Sequence, residues 1–330
     1  MHAIEMSQPG GPEVLELVSV PEPDVGPSEI LVAVELAGVN FADVNARRAA
    51  YAGRGMAFRR GLGLEVYGRV VAAGPAVTGF PAGTRVAGFC RSPGYAELAV
   101  CDHRLLWRIP DDVADTTAAA LLMAGQTAYH LLRSAARLGQ EERVLVTAAA
   151  GGVGTAAIQV ARRLGAGLVV GAAGSAERAE RALSLGADAA IDYSGGGLAE
   201  SIERAAGTRV VDVALDAVGG AVRAEALGCL APFGRLIQYG NSSGGEEQLP
   251  DARALRDQLI SVGGLRLAQV REKFPESLRT SGELVLTWAE QGLLRMPVAD
   301  VLPLADAAEA HRRLESREVL GKLLLKAALS

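Results

Sequence analysis

The sequence predicts an α/β protein in which a β-rich domain precedes a doubly wound parallel sheet. Between residues 143 and 240, short apolar segments alternate with amphipathic segments of helical spacing, which is typical of strands and helices in a parallel sheet. Residues 1–120 instead hold short β-type segments separated by Pro and Gly turns. The composition agrees, because 49% of the residues are hydrophobic and 40 are glycine. A chain of 330 residues is long enough for two such domains.

These patterns divide the chain into three ranges. We predict one domain over residues 1–121, a nucleotide-binding domain over 122–263, and a return of 264–330 to the first domain. A predicted helix at 121–132 leads into the nucleotide-binding domain. The predicted strands, which are short apolar runs, lie at 30–36, 69–73, 144–146, 168–170, 189–191, 210–215, 235–239 and 321–326.

The strand at 144–146 leads into a turn of small residues. Ala149, Gly151 and Gly154 occupy the three glycine places of a dinucleotide-binding fingerprint, with alanine in the first place. An amphipathic helix ending near Gly165 follows, so the strand–turn–helix context is complete. Such a turn lets a pyrophosphate approach the backbone and the helix N-terminus. The turn residues that we expect to contact the cofactor are Gly151, Gly152, Val153 and Gly154.

The end of the next predicted strand favours NADP(H) over NAD(H). An NAD site commonly has Asp or Glu here to bind the ribose 2′-hydroxyl, but residues 172–174 contain no acid. Gly174, Ser175 and Arg178 are present instead, and a hydroxyl and a guanidinium both suit a 2′-phosphate. Glu177 opposes this assignment, and a solvated helix position is the alternative for Arg178.

Charge and cysteine content exclude several classes of function. A net charge of −5 with both signs mixed offers no basic surface for nucleic acid. The three cysteines form no CxxC pair and no disulfide set, which favours a reducing, cytoplasmic location. Residues 1–6 lack the pattern of a signal peptide, and the fingerprint explains the apolar run at 144–161 better than a membrane span. We therefore expect a small-molecule substrate, with neither nucleic acid nor membrane as partner.

Several motifs along the chain resemble one enzyme family. They lie in order at residues 9–15, 38–43, 125–129, 148–154, 185–188 and 321–322. Together they are similar to the zinc-independent medium-chain dehydrogenase/reductases, and most nearly to the quinone oxidoreductase, or zeta-crystallin-like, group. The resemblance implies a GroES-like catalytic domain, a Rossmann domain, NADPH in the cleft between them, and a homodimer built through the Rossmann domains.

The same resemblance predicts that no metal is bound. Zinc-dependent relatives carry a Cys and a His at the places that Asn40 and Leu64 occupy here, and an amide and a hydrocarbon are not zinc ligands. With three cysteines, a structural zinc site of four cysteines is impossible. The histidines, which have no ligand-like spacing and which we expect to be structural or exposed, are His2, His103, His130 and His311.

The resemblance also implies roles for individual residues. NADPH delivers hydride to the electrophilic β-carbon of a quinone or an α,β-unsaturated carbonyl, while the protein positions the reactants and stabilises the enolate oxygen. Asn40 matches a catalytic asparagine near the nicotinamide. The residues implied to contact the cofactor are Asn40, Thr127, Tyr193, Val218, Gly240, Asn241 and Lys322. The alternative is that Asn40 caps a helix and Tyr193 is an aromatic residue of a turn.

The region after residue 44 departs from the quinone reductase pattern. Asn45 stands where quinone reductases often have Tyr, and Asn45 with Tyr51 is similar to mitochondrial 2-enoyl thioester reductases, in which that tyrosine is proposed as the proton donor. Tyr51 is therefore a candidate catalytic residue. The region also carries the arginines Arg54, Arg59 and Arg60. They either receive an anionic or phosphopantetheine-linked substrate or form a solvated basic loop.

The sequence thus predicts an NADPH-dependent, zinc-independent reductase of quinones or enones. A 2-enoyl thioester reductase is the alternative enzyme. An NADPH-binding structural or trafficking protein with little turnover is the alternative of another class, because an intact fingerprint is compatible with it.

Overall fold

The computed structural model describes residues 1–49, 60–245 and 249–327. The strands are β1 (His2–Glu5), β2 (Glu16–Ser19), β3 (Glu29–Val39), β4 (Glu65–Ala73), β5 (Arg85–Cys90), β6 (Leu98–Arg108), β7 (Arg143–Val146), β8 (Leu168–Ala173), β9 (Ala189–Asp192), β10 (Val211–Asp216), β11 (Leu230–Gln238), β12 (Ser261–Gly264), β13 (Val298–Pro303) and β14 (Lys322–Lys326). The α-helices are α1 (Phe41–Arg47), α2 (Asp115–Tyr129), α3 (Gly152–Arg163), α4 (Ala176–Ser184), α5 (Leu198–Ala206), α6 (Gly220–Gly228), α7 (Ala252–Gln258), α8 (Leu267–Lys273), α9 (Pro275–Glu290) and α10 (Ala307–Glu315).

Three shorter helical turns complete the described elements. They are 3₁₀ turns at Pro12–Val14 and Leu304–Asp306 and a π-helical turn at His130–Ala135. The π-helical turn directly follows α2, so the helix predicted at 121–132 is real but changes its hydrogen-bonding pattern before its end. Among the described helices, none has the length and apolar character that a membrane span needs.

The chain forms two compact units. Unit 1 consists of residues 1–123, 274–292 and 296–330, and unit 2 of residues 124–273 and 293–295. The sequence divides the chain at residues 121 and 263 instead. The predicted boundary at residue 263 falls ten residues before the observed one at 273, because the helix α8 belongs to unit 2. This helix is too short for its sequence to indicate which unit it belongs to.

Unit 1 is built on a mixed six-stranded sheet with the order β13-β14-β3-β4-β5-β6. The long strand β3 also pairs with β6, so the segment from β3 to β6 closes on itself. Ile30, Val32 and Val34 alternate along β3 and are fully buried in the core of this unit, as the period of a strand requires. The predicted closing strand is confirmed as β14, which pairs antiparallel with β3 and parallel with β13.

Unit 2 contains a parallel six-stranded sheet with the order β12-β11-β10-β7-β8-β9. The prediction of a doubly wound parallel sheet is therefore confirmed. The sixth strand, β12, was not among the predicted strands because it is short and contains two adjacent glycines. The strand order reverses between β7 and β10, and open sheets of this kind bind ligands at the carboxyl ends of the strands where the order reverses.

Candidate cofactor and catalytic sites

The fingerprint turn of unit 2 has the geometry that a dinucleotide requires. Ala148 adopts a left-handed backbone conformation with φ of 49°, and its carbonyl oxygen accepts from the N–H of Gly151 at 2.9 Å. A Cβ on Gly154 would lie 2.4 Å from that carbonyl oxygen and 2.8 Å from Cα of Ala149. No side chain fits there. The close packing of the helix against the strand end, for which the third glycine is expected, is therefore present.

The helix α3 starts directly at this turn. Gly151 is its N-cap residue, and Gly152 and Val153 are its first two residues. The first N–H groups of a helix have no partner within the helix, and they lie at the positive end of the helix dipole. This end of α3 is therefore suited to a pyrophosphate. The structure thus brings the predicted turn residues together in one short segment.

The residues predicted to bind a 2′-phosphate also lie near one another. Gly174 directly follows β8, and Ser175 caps α4, its hydroxyl oxygen accepting from the N–H of Arg178 at 3.3 Å. The ring of Tyr193 lies 3.5 Å from the place of a Cβ on Gly174, and the N–H of Tyr193 donates to the carbonyl of Ala173 at 2.9 Å. The carboxyl end of β8 therefore carries an exposed glycine, a capped helix and a half-buried arginine in one place.

The loops after β10 and β11 contain three more of the predicted residues. Val218 is buried and its N–H donates to the carboxylate of Asp216 at 3.0 Å. A Cβ on Gly240 would lie 2.9 Å from the carbonyl oxygen of Ala217, so the second loop packs against the backbone of the first. The side chain of Asn241 is hydrogen-bonded within its own loop, because its Nδ2 donates to the carbonyl of residue 245 at 2.9 Å.

A buried polar cluster at this edge of the sheet was missed by the sequence reasoning. Asp216 ends β10, and its carboxylate forms a salt bridge with Arg223 of α6 at 2.7 Å. The side chain of Thr147, which follows β7, lies 3.2 Å from the same carboxylate. The sequence signal for this cluster is an acid directly after the apolar run 213–215, at the end of a predicted strand. Thr127, predicted to contact the cofactor, lies in α2 and is also buried.

In unit 1, Asn40 and Lys322 meet in a buried polar network. Lys322 Nζ donates to Asn40 Oδ1 at 2.7 Å and to Glu65 Oε1 at 2.6 Å. Asn40 Nδ2 in turn donates to Glu65 Oε1 at 3.1 Å and to the carbonyl of Gly38 at 3.2 Å. Glu65 Oε2 accepts from the N–H of Met123 at 3.0 Å. Glu65 is the central acceptor of this network, and sequence reasoning gave it no role.

Asn40 also holds the N-cap position of α1, so the alternative of a helix cap describes its place correctly. Its backbone N–H donates to Asp43 Oδ2 at 3.0 Å, and the N–H of Gly63 donates to Asp43 Oδ1 at 3.1 Å. Burial raises the pKa of the Asp43 carboxyl to about 6, although these two N–H groups lower it. The helix that carries Asn40 therefore starts on a buried acid whose pKa is about 6.

His311, in α10 of unit 1, is also buried, and it lies between two polar side chains. Its Nδ1 is 3.4 Å from Arg47 Nη1, and its Nε2 is 3.3 Å from Tyr95 Oη. A guanidinium only donates, so Nδ1 is the acceptor and Nε2 carries the proton. Burial, together with the charge of Arg47, lowers the pKa of His311 to about 3. Arg47 also pairs with Glu315.

The remaining predicted residues are partly outside the described chain. Tyr51, Arg54 and Arg59 lie outside the described residues, and Arg60 is exposed, its backbone carbonyl accepting from the N–H of Met6 at 2.8 Å. Across residues 1–49, 60–245 and 249–327, no three His, Cys, Asp or Glu side chains form a group that could hold a metal ion. The four histidines divide evenly, since His130 and His311 are buried and His2 and His103 are at least partly exposed.

A dinucleotide fingerprint at the reversal point of such a sheet defines a class, the nucleotide-dependent dehydrogenases and reductases. Two family models match the chain: the alcohol dehydrogenase GroES-like domain over residues 26–111 and the zinc-binding dehydrogenase domain over residues 152–283. Quinone oxidoreductase-like protein 2 of Bos taurus is 35% identical over 316 residues, which is 95% of this chain and 89% of that one.

A solved structure and a much longer enzyme are also similar. Escherichia coli quinone oxidoreductase complexed with NADPH has a TM-score of 0.91 and 31% identity, covering 99% of this chain and all of that one. A mycocerosic acid synthase-like polyketide synthase of Mycobacterium tuberculosis is 34% identical over 329 residues, which is 98% of this chain but 15% of that one. The chain therefore belongs to the quinone oxidoreductase group of the medium-chain dehydrogenase/reductase family. The prediction of a GroES-like domain with a Rossmann domain is confirmed.

Proposed function

We propose that this oxidoreductase binds NADPH and reduces a quinone or an α,β-unsaturated carbonyl. The observation that carries the proposal is the fingerprint turn, in which the carbonyl of Ala148 fills the space that any side chain on Gly154 would need, at the start of α3. This turn lies where the strand order of unit 2 reverses, which is the place for a dinucleotide. The NADPH bound to the E. coli relative supports the choice of cofactor.

NADPH is preferred over NADH, in this proposal, through the carboxyl end of β8. Arg178 is half-buried next to the capped end of α4, and no carboxylate stands at 172–174 to repel a phosphate. An arginine–phosphate contact is worth roughly 1.5–3 kcal/mol, so Arg178→Ala is expected to lower the preference for NADPH about 10- to 100-fold. Arg181→Ala, on the same helix, is the control. An unchanged ratio of the two cofactor dissociation constants in Arg178→Ala would contradict the assignment.

When bound, NADPH supplies the hydride, and the protein supplies position and hydrogen-bond donors. We place Asn40 and Lys322 in unit 1 as residues that position the nicotinamide, because each is held rigidly by the buried carboxylate of Glu65. The contacts proposed in unit 2 are those of Thr127, Gly151, Gly152, Val153, Gly154, Gly174, Ser175, Arg178, Tyr193, Val218, Gly240 and Asn241. Tyr51 stays a proposed proton donor, and Tyr51→Phe with unchanged turnover on every accepted substrate would remove it.

We propose that the reaction needs no zinc. Asn40 and Leu64 stand where zinc-dependent relatives carry ligands, and the ammonium of Lys322 is 2.7 Å from the Asn40 oxygen, where it would repel a divalent cation. Turnover is expected to be unchanged after dialysis against a chelator, with less than about one zinc per ten chains by elemental analysis. Loss of turnover on chelation with recovery on added zinc would contradict this.

The test of the function is NADPH oxidation, followed at the nicotinamide absorbance, against 1,4-benzoquinone, 9,10-phenanthrenequinone, a simple enone and crotonyl-CoA, with NADH as control. Turnover of the quinones or the enone supports the proposal. The match to a polyketide synthase favours a second candidate, a 2-enoyl thioester reductase, which a preference for crotonyl-CoA would support. Tight NADPH binding with no turnover of any acceptor would favour a binding or trafficking role instead.

We further propose a homodimer that forms along β12. This strand is at one edge of unit 2's sheet, and an unpaired edge is a template for pairing with another chain. Beside it, Phe233 and Leu259 are 79% and 50% exposed, and the N–H of Phe233 donates to the carbonyl of Leu259 at 2.6 Å. Light scattering is expected to give twice the mass of the chain, and less for Phe233→Ser. A monomeric mass at micromolar concentration would contradict the dimer.

The cytoplasmic location stays a prediction.

A further inference from the structure

The cluster around Asp216 lies at the point where the strand order of unit 2's sheet reverses. Asp216 is the last residue of β10, and Thr147 directly follows β7, the neighbouring strand across the reversal. The N–H of Ala217 donates to Thr147 Oγ1 at 3.1 Å, so the ends of the two strands are joined by a side chain as well as by the sheet. Ligands of such sheets bind outside these strand ends.

Asp216 organises the loop that follows its own strand. Its carboxylate accepts from the N–H groups of Val218 at 3.0 Å and Gly219 at 3.2 Å. Gly219 has a positive φ of 76°, which a side chain rarely adopts, and a Cβ there would lie 2.2 Å from Asn241 Oδ1. The carboxylate thus holds the backbone of residues 217–219 in a tight turn. At Gly219 this turn leaves no room for a side chain.

Arg223 joins this loop to the next one. Its Nε donates to Asp216 Oδ2 at 2.7 Å, and its Nη2 donates to the carbonyl of Gly240 at 3.0 Å. The planar fork of a guanidinium can satisfy two acceptors in fixed directions, which a single ammonium cannot reproduce. Two backbone bonds complete the connection, because the N–H groups of Ser242 and Ser243 donate to the carbonyls of residues 217 and 218 at 3.0 and 2.9 Å.

The ion pair between Asp216 and Arg223 has a large desolvation cost relative to the stability that it can add to the fold. The Arg223 side chain is 1% exposed and that of Asp216 is fully buried, so both charges are removed from water. Within the described part of the chain, Nη1 of Arg223 has no hydrogen-bond partner although it is buried. Replacing a buried ion pair by apolar residues is often neutral or stabilising, and an unsatisfied buried donor costs roughly 1–3 kcal/mol. Fold stability alone does not explain the pair.

We propose that Arg223 is a positioning residue for the cofactor. It acts through the Asp216 carboxylate and the Gly240 carbonyl, and it holds the loops 217–219 and 240–245 in the arrangement that the dinucleotide needs before the dinucleotide arrives. This inference rests on the proposed NADPH binding. Preformed loops avoid the ordering cost that binding would otherwise include, so Arg223 is expected to affect cofactor affinity more than the rate at saturating cofactor.

The test compares Arg223→Met with Arg143→Met. Arg143 of β7 pairs with Asp212 of β10 at 2.8 Å near the amino ends of these two strands, so it is a more exposed ion pair on the same sheet, away from the loops. The dissociation constant of NADPH is measured by nicotinamide fluorescence, thermal unfolding by calorimetry, and turnover with the best acceptor. Arg223→Met is expected to raise the dissociation constant and KM for NADPH about tenfold or more, the effect of one lost hydrogen bond to a charged donor, with kcat changed less than about threefold.

Arg143→Met is expected to lower the unfolding temperature without changing the dissociation constant of NADPH. Arg223→Lys keeps the charge but not the fork, and it is expected to recover unfolding temperature more than affinity. If Arg223→Met does not fold, the charge-balanced double variant Asp216→Asn with Arg223→Met takes its place, with the same expected loss of affinity.

Wild-type affinity in a folded Arg223 variant would overturn the inference and leave the proposed function intact. An equal loss of affinity in Arg143→Met would also overturn it, since the effect would then be one of general stability. If the wild-type chain itself fails to bind NADPH, the proposed function falls and this inference falls with it.

Discussion

The two units place their candidate site residues by different physical means. In unit 1, Asn40 and Lys322 are held by side chains, through hydrogen bonds and an ion pair that meet on the buried carboxylate of Glu65. In unit 2, most candidates are backbone positions at strand ends, where glycines such as Gly154 leave room for a close approach. The first arrangement depends on charge balance and the second on steric room.

The difference matters for how each unit responds to change. A buried charged network fails when one partner is removed, because the remaining charge has no water to solvate it. A backbone turn fails when a side chain is added, because the protein interior is close-packed and has no space to give. Variants of the two kinds therefore test whether the contrast between the units is real.

The largest effect is expected from Lys322→Met in unit 1. It leaves Glu65, fully buried, with an uncompensated charge, which costs about 3–5 kcal/mol of unfolding free energy. Arg69→Met is the matched control, since it breaks an exposed pair with Glu35 on the same sheet and is expected to cost under ~1 kcal/mol. Urea unfolding measures both. Similar costs for the two variants would contradict the view of unit 1 as a charge-balanced network.

The second effect is a pH dependence that arises from Asp43. Its pKa is raised from an ordinary 3.8 to about 6, so the folded state keeps a proton that the unfolded state loses. The stabilisation is complete below pH 3.8 and is lost as pH rises through about 6, a change of about 3 kcal/mol for two pKa units. The difference in unfolding free energy between wild type and Asp43→Asn is expected to fall by most of this amount between pH 4 and 7. A flat difference would contradict it.

His311 is expected to change the unfolding free energy with pH in the opposite direction, so it serves as an internal comparison for Asp43. Its pKa is lowered from 6.5 to about 3, so its stabilisation is present above pH 6.5 and is lost as pH falls toward 3. The difference between wild type and His311→Gln is therefore expected to rise with pH over the window in which the Asp43 difference falls. Slopes of the same sign would show that one of the two burial arguments is wrong.

The third effect is steric and belongs to unit 2. Gly154→Ala brings a Cβ to 2.4 Å from the carbonyl oxygen of Ala148, and we expect a loss of about 1–3 kcal/mol together with weaker NADPH binding. Gly228→Ala, at the end of α6, meets nothing within 4 Å and is expected to be neutral or slightly stabilising. Unfolding and NADPH titration measure both. Equal stability of the two variants would remove the steric argument.

The smallest effect is the loss of a helix cap in unit 2. Ser175→Ala removes the acceptor for the N–H of Arg178, which costs about 1 kcal/mol, and it is expected to weaken NADPH binding as well. Asp251→Ala removes an equivalent cap from α7, where the carboxylate accepts from the N–H of Ala254 at 2.8 Å. It should cost the same stability and leave NADPH affinity unchanged. If the two variants bind NADPH with equal affinity, Ser175 does not contribute to cofactor binding.

The parts of the fold that could be predicted are those that local sequence determines. The strand β7 and the helix α3 follow from a short β-branched run and an apolar face at helical spacing, and the glycines of the turn follow from a fixed spacing. The strand β12 could not be predicted, because a four-residue strand with two glycines has no periodic signal and forms by pairing with β11.

The networks could not be predicted for a different reason. Glu65 and Lys322 are 257 residues apart, and nothing local to either residue indicates the other. Arg223 lies in a short, mostly apolar helix, where a lone arginine is expected to face solvent, and its partner Asp216 is seven residues earlier, in the preceding strand. Lys322 was found only because its motif resembles a family. Burial and partner choice at these sites depend on how distant segments meet.

Unit 1 gathers segments from both ends of the chain, and this order has a consequence for synthesis on the ribosome. The strands of unit 2 lie together between residues 143 and 264, whereas β14, which sits between β13 and β3, is made near residue 322. Translation proceeds at roughly 5–20 residues per second, so Glu65 waits on the order of 10–50 s for Lys322. During that interval the ladder of β3 that β14 will occupy is open to wrong partners. We therefore expect the nascent chain to be exposed to wrong strand pairing along β3 until β14 has been made.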